Sequence, residues 1–135
     1  MVTGVSSDLD SMKDALYQGA AQLTKGKGIY EETLRILETK KNEPVPQAKN
    51  PTLQEELNKT HAVYKNWTEA SIINTKAQLD IEQELKALFE REIDLFTFSN
   101  SLTEIRSRLN PLLEEHRKND AEIKKLEDRI SVLIS

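Results

Sequence analysis

The chain has 135 residues and a formal net charge of -4, with 31% charged and only 5% aromatic residues. Such a composition suits long helices that bury narrow stripes better than a thick core. Cysteine is absent, which excludes disulfides, thiolate metal sites and thiol nucleophiles.

Acids and bases balance over residues 1–50 and 101–135, so the net charge comes from residues 51–100. No segment is basic enough for a phosphate-binding face, so no direct nucleic-acid contact is expected. A scaffold curved over an anionic membrane is disfavoured for the same reason. The N-terminus, MVTGVSSDLD, has neither a basic n-region nor an apolar h-region. No apolar run is long enough to span a bilayer. An intracellular chain, cytoplasmic or nuclear, is the expectation.

The N-terminal helical segment is expected over residues 1–43. Ser6 or Ser7 caps it, with Asp8 and Asp10 in the first turn. Leu9, Leu16, Leu23, Tyr30 and Leu37 recur every seven residues. Their companions Met12, Gly19, Gly26 and Thr33 are mostly small or polar. This seam either permits close helix approach or breaks near Gly26-Lys27-Gly28. Two glycines cost roughly 2 kcal/mol of helix propensity relative to Ala, and we place a weak point at residues 25–28.

Pro44, Pro46 and Pro51 mark a connector, assigned to residues 44–50. It is long enough for a reversal into an antiparallel hairpin. Asn50-Pro51 then opens a long central helix, N-cap followed by a first-turn proline. The helical pattern runs over residues 51–98. One of its rows reads Leu53, Thr60, Trp67, Asn74, Ile81, Leu88, Leu95; the other reads Leu57, Tyr64, Ser71, Gln78, Leu85. The polar middle layers Ser71, Asn74 and Gln78 predict an exposed, hydrated or otherwise covered stretch. Leu85, Phe89, Ile93 and Phe96 widen the stripe beyond what a two-stranded seam needs.

Ser99-Asn100-Ser101 and Asn110-Pro111 each read as a restart or a soft point in a continuing helix. The segment 101–135 carries the strongest signal. Leu102, Leu109, His116, Ile123 and Ile130 form one seven-residue row. Ile105, Leu112, Asn119, Leu126 and Leu133 form the other. Five layers in this spacing make a coiled-coil or bundle seam that requires a neighbouring helix, within this chain or on another. His116 and Asn119 either fix register as polar layers inside the seam or sit at its wet edge.

The fold class is therefore all-α: an elongated helical or coiled-coil chain of two to four helices, closed as a helical hairpin or a three-helix bundle. Catalysis has little to rest on. The carboxylates Glu90, Glu92 and Asp94 read as helix surface, and Gly26-Lys27-Gly28 lacks the rest of a phosphate loop. No catalytic residue, metal ligand, cofactor or small-molecule substrate is assigned. The expected role is a non-catalytic structural or adaptor subunit that joins other helical proteins in a hetero-oligomer. A homodimeric coiled-coil rod and a monomeric three-helix binding module are the alternatives. Candidate contact residues are the ten ladder positions together with Tyr64, Trp67, Leu85, Phe89, Ile93 and Phe96. Tyr64 and Trp67 fit an interface anchor or an ordinary core contact.

Overall fold

The computed structural model describes residues 25–91 and 93–135. The expected cap at Ser6 or Ser7 and the helix over residues 8–24 lie outside them. Three helices and no strand occur among the described residues. Residues 25–42 form α1, Pro51–Glu90 form α2, and Leu95–Ile134 form α3. The latter two have 40 residues each, about 60 Å of helix at the standard rise.

The termini of these helices are explained by local hydrogen bonds. Asn50 caps α2 by accepting the Leu53 N–H at 2.9 Å, and Pro51 occupies the first turn. Gln54 then holds the connector. Its Oε1 accepts the Ala48 N–H at 2.7 Å, and its Nε2 donates to the Pro46 carbonyl at 3.1 Å.

The central helix is shorter than its apolar pattern suggests. The chain leaves the helix after Glu90 and re-enters at Leu95, whereas the sequence pattern carried one helix to Phe98. Asp94 supplies the physical reason. Its carboxylate accepts the Thr97 N–H at 2.8 Å and the Thr97 hydroxyl at 2.7 Å. That local alternative to helix propagation makes Asp94 the N-cap of α3. Residues 99–101 and 110–111 lie inside α3, which continues through Pro111.

The pairings fix the topology. Glu84 meets Arg108 at 2.6 Å, Asn74 donates to the Leu112 carbonyl at 3.0 Å, and Glu56 pairs with Arg129. Partner numbers fall on α2 as they rise on α3, so the two helices are antiparallel. Lys41 pairs with Glu69 at 3.2 Å, and Tyr30 bonds to Gln78 at 2.9 Å, so α1 is also antiparallel to α2. Lys40 reaches Glu127 at 3.0 Å, placing α1 beside α3 as well. The result is a three-helix bundle.

Gly26 and Gly28 are helical among the described residues, which begin at Lys25. An ideal Cβ at Gly26 would stand 2.8 Å from Glu82 Oε2. The absent side chain thus admits the Glu82 carboxyl to the seam between α1 and α2, the close-approach alternative that the small companion row left open.

The core has two apolar clusters. Leu37, Tyr64, Ile72 and Ile123 form one, with Leu34, Trp67, Leu126 and Ile130 against it. Ile81, Leu88 and Ile105 form the other, joined by Leu85, Phe98, Leu102, Leu109 and Leu112. Between them lies a polar belt. Ser71, Asn74, Thr75 and Gln78 of α2 and Asn119 of α3 are all buried. Of the three alternatives for Ser71, Asn74 and Gln78, exposed, hydrated or covered, the structure shows the covered one. Gln78 and Asn74 find partners: the Tyr30 hydroxyl donates to Gln78 Oε1 from α1, and within α2 Gln78 Nε2 donates to Asn74 Oδ1 at 2.6 Å. Asn74 Nδ2 donates to the Leu112 carbonyl, so one hydrogen-bonded relay touches all three helices. The buried Gln78 and Asn74 amides are tolerated because they are paired.

Candidate interaction surface

The terminal ladder is turned inward. Ile105, Asn119, Ile123 and Leu133 are buried, while Leu102, Leu109, Leu112, His116, Leu126 and Ile130 are half-buried. Their apolar members other than Leu133 pack in clusters with α1 or α2 of the same chain. The neighbouring helix that the heptads require is therefore internal. His116 sits at the edge of the belt, its Nε2 3.1 Å from Asp120 Oδ2. Its Nδ1, like Asn119 Nδ2 and Ser71 Oγ, has no hydrogen-bond partner among the described residues.

Tyr64 and Trp67 also face inward. Tyr64 is buried in the cluster with Leu37, Ile72 and Ile123, and the His61 ring lies at a centroid distance of 5.8 Å. Trp67 is half-buried, and the Lys118 ammonium lies 5.9 Å from its ring centroid. This pair works as core, with a cation–π contact holding α3 to α2.

The stripe of Leu85, Phe89, Ile93 and Phe96 is divided by the turn. Leu85 and Phe89 are half-buried, and Phe89 stacks at a tilt on Phe98, 5.6 Å between centroids. Ile93 and Phe96 are exposed, as is Leu95. Phe96 is 76% exposed and Leu95 61%. The heptad row had placed Leu95 in the seam. Instead it occupies the first position of α3, beyond the reach of α2, because Asp94 starts a new helix there. The signal missed in the sequence is the Asp94–Thr97 spacing, which reads as a helix start only once α2 is known to stop.

Glu90 and Asp94 are exposed at the turn beside Arg91, and Lys27 and Lys86 line one cleft with Glu90. The hydrogen bonds from Thr97 hold the Asp94 carboxyl below its usual range, so it stays ionised in mild acid. The first cation of α3 is Arg106, three turns away.

Elsewhere the surface offers little enclosure. A groove of about 570 Å³ between α2 and α3 is lined by Glu55, Glu56, Lys59, Val63, Leu126 and Arg129, among others. Its charges are mixed and paired, since Glu56 binds Arg129 and Glu55 binds Lys59. Among the described residues, no helix is long and apolar enough to cross a membrane. No family model, curated protein or solved structure matches the chain.

Proposed function

We propose that the chain is a non-catalytic helical interaction module, a three-helix rod that joins other proteins as a structural or adaptor subunit. The observation that carries this reading is the contrast along α3. Its ladder is spent on internal packing, yet Leu95 and Phe96 stand in water at one end. A monomer has no use for two large apolar side chains on a rigid tip, whereas an interface does.

The same contrast favours the monomeric three-helix module over the homodimeric rod. A homodimer held through residues 101–135 would have to displace α1 and α2 from the rows they already cover. Intracellular residence, in cytoplasm or nucleus, belongs to the same proposal. So does assembly into a hetero-oligomer without nucleic acid, cofactor or small-molecule substrate.

Light scattering on the purified chain, followed by affinity recovery of the tagged chain from its source cells, tests the reading. The expected results are a mass near the 15.4 kDa of one chain and co-recovery of a protein partner at fixed stoichiometry. A stable homodimer would select the rod alternative. Recovery of the chain alone would count against an adaptor role.

A further inference from the structure

We propose that α1 is a hinged strap: it lifts as one unit from the α2–α3 hairpin about residues 43–45, while the hairpin stays folded, and uncovers the face of Tyr64, Ile72 and Ile123 on which Leu37 packs. This goes beyond the interaction-module reading and needs no partner.

The hairpin has a core of its own. Among the described residues, the cluster of Ile81, Leu88 and Ile105 is built from α2 and α3 alone. In the other cluster α1 supplies only Leu34 and Leu37. Leu37 is the one buried side chain among the described residues of α1, whereas Ile29 and Ile36 are exposed. An element with so few buried apolar contacts opens before the rest of a fold does.

Polar contacts supply the remaining attachment. Tyr30 bonds to Gln78, Lys41 pairs with Glu69, and Lys40 pairs with Glu127. Ion pairs this close to water contribute little. The strap also covers a group that water would serve better. Glu82 Oε2 is buried against Gly26 and has no hydrogen-bond partner among the described residues, although Lys27 and Lys86 line the same cleft with Glu90. Lifting α1 hydrates that oxygen.

The hinge lies where the hydrogen bonds stop. A 3.3 Å bond from the Glu43 N–H to the Lys40 carbonyl closes α1. Gln54 clamps Pro46 and Ala48 to α2. Pro44 and Val45 stand exposed between these two anchors, so a few loop torsions suffice to swing the helix.

Native-state hydrogen exchange on the full-length chain, followed residue by residue over a low urea series, tests the strap. Amides of residues 33–40 should exchange about tenfold faster, or more, than those of Ile72, Ile81 and Ile105, through an opening with a shallower urea dependence. Leu37→Asp places a charge in the one buried position of α1. It should strip protection from α1 and leave α2 and α3 protected. One shared exchange free energy and urea slope for all three helices in the parent chain would overturn the proposal. So would loss of protection throughout the hairpin in Leu37→Asp.

Discussion

The Tyr30 hydroxyl donates a 2.9 Å hydrogen bond to Gln78 Oε1 across 48 residues of sequence. That bond starts the relay through Asn74 to the Leu112 carbonyl. It places the only described contacts that unite α1, α2 and α3 in one polar network in the middle of the bundle, between two apolar clusters. Packing supplies cohesion at both ends, and the relay fixes how the helices are aligned. Slippage of any helix by one turn would leave buried amides without partners.

Breaking the relay from its middle should cost more than breaking it from its end. Asn74→Ala strands the Gln78 amide, so a loss of about 1–3 kcal/mol is expected. Tyr30→Phe removes one hydrogen bond at a half-buried edge, with an expected loss of about 0.5–1.5 kcal/mol. Urea denaturation of both single variants and the double variant measures this. Losses that simply add would mean that the two bonds are independent.

The glycines of α1 should respond differently from one another. Gly28 has nothing within 4 Å of an added Cβ, so Gly28→Ala should stabilise by about 1 kcal/mol through helix propensity. Gly26→Ala must push the Glu82 carboxyl out of the seam. Its propensity gain is offset by that displacement, and the Glu82 pKa should fall toward its ordinary value. Urea midpoints and carboxyl NMR titration follow both effects. An unchanged Glu82 titration in Gly26→Ala would contradict the close approach.

Burial pushes the Glu82 carboxyl above its ordinary value of 4.5. The folded chain therefore holds this proton more tightly than the unfolded chain does. The stability it contributes is complete below 4.5 and is lost as pH rises through the folded value. Glu82→Gln keeps the shape without the charge. The variant should be more stable than the parent at about pH 7, with the advantage shrinking toward about pH 4. Chemical denaturation at both pH values decides it, and a less stable variant at neutral pH would reverse the sign.

At the alkaline end Tyr64 should dominate. Burial, then the charges of Glu127 and Glu43, push its phenol up to about 12. The folded state favours the protonated ring, so this contribution holds below the ordinary value of 10 and fades between 10 and about 12. Stability should fall across that window in the parent and less steeply in Tyr64→Phe. Tyrosinate absorbance, read alongside circular dichroism, follows the effect. Early ionisation of Tyr64 in the folded chain would contradict its burial.

Much of the architecture is legible in the sequence because apolar spacing reports which face a helix buries. The ladder from Leu102 to Leu133 asks for a neighbour, and α1 and α2 supply it. The polar belt is not legible in the same way. Gln78 is polar whether it faces water or Tyr30, and its partner lies 48 residues away. The turn after Glu90 is hidden because it contains neither proline nor glycine. Ser99-Asn100-Ser101 looks more like a break, yet it is helical because the cap at Asp94 has already begun α3. The exposure of residues 93–96 is legible only in part for that reason. The stripe includes Phe96 and the row assigns Leu95 to the seam, whereas the structure leaves both exposed.

Hydrogen exchange on the isolated chain, with its mass measured in the same solution, tests the internal ladder most directly. The account predicts a mass near 15.4 kDa and slow, concentration-independent exchange at Ile105, Ile123 and Leu126. It also predicts that Leu112→Asp with Leu126→Asp abolishes that protection by burying unpaired charge. Protection that appears only at about twice the chain mass, or that falls on dilution, would show that another chain covers the rows and would contradict the account.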